Sequence, residues 1–188
     1  ALLDRFCVEL TNLKGEPIVV DGEDAAREKV LELLAAHGTK RLLAWEFQYL
    51  PIARMEAAIR SAGIDILVPD VRDEDRPEML ALAEQAQVGL TGADAAAAAT
   101  GTLIVTTAPG KGRIPTVLAP VHLAVIRADQ IVPRIESWVA QQRSAGMAGI
   151  RSAGNVCFIT GPSRTGDIEM ELILGVHGPG RVQVVIIR

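Results

Sequence analysis

Aromatic side chains make up only 3% of this 188-residue chain, and cysteine occurs twice, at Cys7 and Cys157. So few aromatics argue against a base-stacking platform for single-stranded nucleic acid. Neither cysteine has a Cys or His at ligand spacing, which excludes a self-contained zinc or iron–sulfur site built on a CxxC core. The pair gives no disulfide framework either, so a reducing, cytoplasmic setting is expected. Positive charge is not in excess: 19 Lys+Arg stand against 23 Asp+Glu, a net of −4. Nucleic-acid binding needs a basic footprint, so no nucleic-acid partner is expected. The histidines are His37, His122 and His177, and their spacing makes no metal site. No apolar run reaches the roughly 18 residues of a membrane span, and the first residues lack a signal-peptide pattern. The first residue is Ala, not Met, so the natural start is expected to be missing. There is no GxSxG and no Cys near a His, which leaves hydrolase and thiol chemistry without support.

What is present is a chain that is 49% apolar, long enough to bury a core without disulfides or metal. Strand-like and helix-like runs alternate over the first 87 residues. IVV at 18–20 precedes DAAREKVLELLAAHG, where Ala26, Val30, Leu33, Leu34 and His37 follow helical spacing. RLLAWEF and IDILVP read as strands, LPIARMEAAIRSAG and RPEMLALAEQA as helices with Pro near the first turn. From Val88 the texture changes. VGLTGADAAAAATGTLIVTT predicts a short strand, a small Ala helix near 95–99 with Thr91 as its cap and Asp94 in its first turn, then a strand. HLAVIR predicts a strand and IVPRIESWVAQQR a helix. NVCFIT predicts a strand, DIEMELIL a helix and RVQVVIIR a closing buried strand. The expected fold is a doubly wound α/β sheet in one domain, residues 1–188. Residues 1–20 are read as an N-terminal extension and 143–154 as a flexible, Gly-rich connector.

GPSRTGDIE (161–169) carries more hydrogen-bonding groups than a plain connection requires. At the carboxyl end of a strand and the start of a helix, its backbone amides would attract an anion. Gly161, Ser163, Arg164, Thr165 and Asp167 are therefore candidate ligand-binding residues, with Arg164 as a planar fork for carboxylate or phosphate. The competing reading is that Thr165 or Asp167 merely caps the helix and Arg164 pairs with a surface acid. GVHGPGR offers His177, which could titrate near neutral pH in a pocket or sit exposed in a turn. Thr91, Gly92, Asp94, Thr100 and Gly101 bracket the alanine run with polar and flexible groups, and small residues allow close approach of a ligand or of a second backbone. APGKGRIP is not a phosphate loop, because Gly112 follows Lys111; with Arg113 it is either a basic loop over a ligand or a hairpin tip with solvated charges.

Taken together, TGADAAAAATGT, GKGR, PVHLAVI, IVPRIE, GPSRTGDIE and GVHGPG resemble the LUD-domain family of lactate utilisation protein C type, closely over 88–188 and more loosely before. The resemblance implies a three-layer α/β/α Rossmann-like sheet of the ribose-5-phosphate isomerase, glucosamine-6-phosphate deaminase and CoA-transferase type. It also implies a non-cluster subunit of a system oxidising L-lactate to pyruvate. The partners would be a cysteine-rich protein and an iron–sulfur protein carrying the clusters, with no cofactor on this chain and a small anionic ligand bound to it. Relatives usually have Glu before TGT where this chain has Ala99, and more often SRTAD where it has Gly166. If that Glu does acid–base or nucleophilic work in relatives, Glu169 becomes the remaining candidate catalytic residue here. Two alternatives stand beside this. One is a stand-alone isomerase, transferase or cyclo-ligase-like enzyme acting on a phosphorylated or nucleotide ligand. The other is an assembly protein whose pocket is vestigial.

Overall fold

The computed structural model describes residues 1–69, 76–166 and 172–188. In chain order its elements are α1 (Leu2–Asn12), β1 (Glu16–Val20), α2 (Gly22–Ala36), β2 (Arg41–Ala44), α3 (Met55–Ser61), β3 (Asp65–Leu67), α4 (Arg76–Ala83), β4 (Val88–Thr91), β5 (Ala95–Ala97) and β6 (Thr102–Thr106). There follow α5 (Ile114–Val117), β7 (Val121–Arg127), β8 (Ile131–Val132), α6 (Ile135–Ser144), α7 (Ala148–Ser152), β9 (Val156–Ile159), β10 (Arg164–Gly166), β11 (Leu172–Leu174) and β12 (Arg181–Ile187). Six strands form a parallel sheet in the order β1-β12-β7-β4-β2-β3. A second sheet of four runs β8-β5-β6-β9, and β10 pairs with β11 as an antiparallel ribbon.

Central parallel strands are buried on both faces and therefore read as nearly unbroken apolar runs. VHLAVIR of β7 and RVQVVII of β12 are of this kind, each with six consecutive buried residues. The two-residue strand period separates the faces. Leu42, Val88, Leu90 and Leu123 look to one side and join a core with Ala26, Val30 and Leu34, spaced i, i+4, i+8 along α2. Leu43, Gly89 and His122 look to the other, where Leu43 meets Ala83 and Ala119 in a separate cluster beside Ile114. A Cβ on Gly89 would lie 1.8 Å from the Pro115 carbonyl oxygen, so α5 can rest on β4 only because that residue is glycine. In the second sheet Leu103 and Val105 turn into the main core with Phe6 and Leu10 of α1. Ile104 turns outward beneath Trp138 of α6.

Several expectations change. The alanine run is a strand, not a helix: β5 lies between β8 and β6 with Ala95–Ala97 all buried, and such crowding favours small side chains over helix propensity. Leu172–Leu174, the end of the expected DIEMELIL helix, is likewise a strand, paired with Arg164–Gly166. Residues 1–20 are not an appendage. Phe6 and Leu10 are 0% and 1% exposed, and β1 extends the main sheet alongside β12. The 143–154 stretch contains α7 and the end of α6.

Candidate functional site

Strand order places β2 beside both β3 and β4, so the chain crosses back over β2 on its way from β3 to β4. In open α/β sheets the crevice at such a reversal, outside the carboxyl ends of the strands, is where ligands bind. Here that edge is formed by Trp45, Glu46 and the short turn Phe47–Tyr49 after β2, and by Gly92, Ala93 and Asp94 after β4. A cleft of about 650 Å³ opens beside it, lined by Glu46, Pro69, Thr107, Gly110, Gly112 and Ser152 among others.

The loop 107–113 is strapped onto this edge. Glu46 N donates to the Gly110 carbonyl at 2.8 Å, Trp45 Nε1 to the Gly112 carbonyl at 2.7 Å and Tyr49 Oη to the Pro109 carbonyl at 3.1 Å. Lys111 turns inward beneath the strap and is only 7% exposed. Its Nζ donates to Asp94 Oδ1 at 2.5 Å and to Thr106 Oγ1 at 3.2 Å, and lies 5.0 Å from the centroid of the Trp45 ring. The other Asp94 oxygen accepts from the Thr106 amide at 2.5 Å and hydroxyl at 3.0 Å. A buried ammonium is tolerable only when paired and hydrogen-bonded, and this one has a carboxylate, a hydroxyl and an aromatic face. Glu46 is exposed into the cleft, with Oε2 accepting from Gln48 Nε2 at 2.7 Å. Gly110 has φ +70°, and a Cβ there would lie 2.2 Å from the Glu46 carboxyl carbon. Thus only glycine both makes the turn and leaves room for that carboxylate. The cleft can offer a hydrogen-bond and proton acceptor at Glu46 and a hydroxyl at Thr107, while the Lys111 charge under the strap is balanced by Asp94.

The candidate residues read from sequence divide into separate places. Thr91, Gly92 and Asp94 belong to this carboxyl edge. Thr91 Oγ1 pairs with Nε2 of His122 at 2.8 Å; burial pushes the His122 pKa down to about 4, and its Nδ1 has no partner among the described residues. A Cβ on Gly92 would meet the Tyr49 carbonyl at 2.5 Å. Arg113 is exposed at the end of the strap. Thr100 bonds Thr102 Oγ1 at 2.7 Å, and Gly101, at φ +58°, lies against the backbone of Leu10 in α1.

The GPSRTG segment lies elsewhere. It follows β9 of the second sheet but rests at the amino edge of the main one. Ser163 N donates to the Pro179 carbonyl at 2.9 Å, Gly175 N to the Ser163 carbonyl at 3.0 Å, and Gly180 N to the Pro120 carbonyl at 3.0 Å, just ahead of β12 and β7. Arg164 Nη2 donates to the Leu13 carbonyl at the end of α1, beside Gly161. The Arg164 fork thus closes the end of α1, and Arg164–Gly166 is strand; the expected helix start at Asp167 lies outside the described residues. Thr165 pairs with Ile173. His177 is exposed in the turn before β12. Asp167 and Glu169 lie outside the described residues.

Sequence reasoning missed Glu46 and the buried setting of Lys111. Ala108 and Lys111 do close a tight hairpin turn, bonded to each other through both backbone amides, but the lysine side chain is buried under it and not solvated. The available signal was the polar Trp45-Glu46 pair at the end of an apolar strand, but no spacing rule links it to a lysine 65 positions later.

Among known proteins, the profile of the LUD domain matches residues 3–187. Lactate utilization protein C of Exiguobacterium sp. is 40% identical over 116 residues, covering 61% of this chain and 50% of that protein. The protein of the same name from Macrococcus caseolyticus is 32% identical, covering 87% of this chain and 68% of its own length. That of Bacillus subtilis is 27% identical over 99% of this chain and 68% of its own. The match to the Exiguobacterium protein spans about half of it. A DUF162 family protein from Deinococcus radiodurans, known from its crystal structure, shares the fold over 100% of this chain and 96% of its own, with TM-score 0.67 and 21% identity.

Proposed function

Because this chain belongs to the LUD-domain family, we propose that it serves lactate utilisation as the component that holds a small 2-hydroxy or 2-oxo acid. The names of its relatives supply the substrate class. The observation that carries the chain's own part is the carboxyl-edge cleft, lined by exposed Glu46 and by the strap that the buried Lys111–Asp94 pair holds in place. Oxidising L-lactate to pyruvate removes two electrons and two protons. The two electrons and the C2 proton would be taken up on a cysteine-rich partner and an iron–sulfur partner, which would hold the clusters, since Cys7 in α1 and Cys157 in β9 offer no CxxC spacing. Glu46 accepts the hydrogen bond of the ligand hydroxyl and is placed to take its proton. The Lys111–Asp94 pair, neutral as a whole, fixes the strap beside the cleft, and the Thr107 hydroxyl is the side-chain donor open to the ligand's carboxylate.

Binding linked to folding raises stability by about 2.7 kcal/mol at a hundredfold excess over the dissociation constant. L-Lactate and pyruvate should therefore raise the melting temperature, and Glu46→Gln should lessen the rise at least severalfold without lowering the unliganded value. Loss of the gene should abolish growth on lactate. Normal growth on lactate, or an undiminished shift in Glu46→Gln, would remove the basis of this reading.

A further inference from the structure

A second cleft of about 650 Å³ is lined by Arg5 of α1, by Ala99 and Thr100 after β5, and by residues along α6. Arg5 of α1 and Arg134 and Arg143 at the two ends of α6 line it, with Glu136 as the one carboxylate. Three cations against one anion is a local excess of two positive charges in a chain whose net is −4. Arg27, Arg41, Arg60, Arg127, Arg181 and Arg188 all enter ion pairs, whereas no ion pair among the described residues involves these three. The cleft also meets the N-terminus of α6, a 10-residue helix with no side-chain cap, whose free amides and dipole add to the positive field. Ile135 and Val139 give an apolar wall, and Thr100 a hydroxyl at the rim.

We infer that this cleft binds a phosphate-bearing organic anion of nucleotide size. Guanidinium forks pair two-pronged with phosphate oxygens, and several forks are needed only for a ligand with several negative charges. The apolar wall suits a flat or aliphatic body attached to those phosphates. The volume falls within the roughly 300–1,000 Å³ of small-molecule sites. Thr100, singled out in the sequence as a ligand residue, acquires its place here rather than at the carboxyl edge. The site is distinct from the Glu46 cleft, so its failure would leave the lactate reading untouched.

The test is calorimetric titration of the full chain with ATP, inorganic pyrophosphate and citrate at about 0.15 M salt. ATP should bind, pyrophosphate should compete with it, and citrate should bind more weakly than ATP. Arg134→Gln, Arg143→Gln and Arg5→Gln should each weaken ATP at least about fivefold, while Arg60→Gln, on α3, should change nothing. All three arginines are exposed, so the variants should melt with the wild type. The inference is overturned by no ATP binding at 10-millimolar levels (about the top of a practical titration, about 2.7 kcal/mol or less). It is also overturned by ATP affinity surviving all three substitutions, by citrate binding more tightly than ATP, or by capture of a polyglutamate peptide in place of ATP, which would mark a protein-docking face.

Discussion

Burial holds the His122 imidazole neutral, with a pKa pushed down to about 4 from its ordinary 6.5. The unfolded chain therefore binds the extra proton first as pH falls. The stability this residue contributes is whole above pH 6.5 and drains away as pH drops towards 4. The full effect is about 3 kcal/mol. Urea midpoints at pH 7 and 4.5 should fall further apart for the wild type than for His122→Gln; equal differences would show that protons reach the folded ring freely. Gly110 makes a second residue-level case. In Gly110→Ala the new methyl group would displace the Glu46 carboxylate, and the positive φ would add strain. A loss of about 1–3 kcal/mol is expected, together with weakened lactate binding. Unchanged binding would mean that Glu46 is not where the ligand sits.

At the scale of elements, the strap 107–113 is held from below by one charge pair. The Lys111 side chain is 9% exposed and that of Asp94 28%. Removing one partner leaves the other charge unpaired in a largely dry place, at a cost of about 2–3 kcal/mol once partial exposure is allowed for. Lys111→Met and Asp94→Asn should each lower the denaturation midpoint, and the double variant should cost less than the two losses added. Strict additivity would show that the pair does not couple strap to strand. The same scale shows what the sequence could disclose. α2, β7 and β12 were legible because Ala26, Val30 and Leu34, or an unbroken run such as AVI, announce their own period. β5 was not, because Ala-Ala-Ala favours a helix until neighbouring strands on both sides require small residues. Leu172–Leu174 was not, because its partner strand is Arg164–Gly166 and a short apolar run does not reveal pairing. Thr91, Gly92 and Asp94 were singled out by their chemistry and lie at the carboxyl edge of β4. Glu46 and Lys111 become a site only through a crossover, which no local pattern encodes.

On the scale of the whole molecule, the two edges of the parallel sheet have different jobs. The amino edge gathers the end of α1, the GPSRTG segment and the turn before β12, locked by Arg164 on the Leu13 carbonyl and by backbone bonds through Ser163 and Gly180. The carboxyl edge keeps an open cleft, lined by an exposed carboxylate and by the strap that a buried ion pair holds in place. The GPSRTG segment of this chain thus sits in a structural seam, and the reversal crevice lies at the opposite end of the sheet. Amide chemical shifts recorded during titration with L-lactate and pyruvate test this division most directly. Shifts centred on Glu46, Gly92, Asp94, Gly110 and Gly112 are the expected result. Shifts centred on Gly161, Ser163, Arg164 and His177, with the carboxyl edge silent, would contradict it.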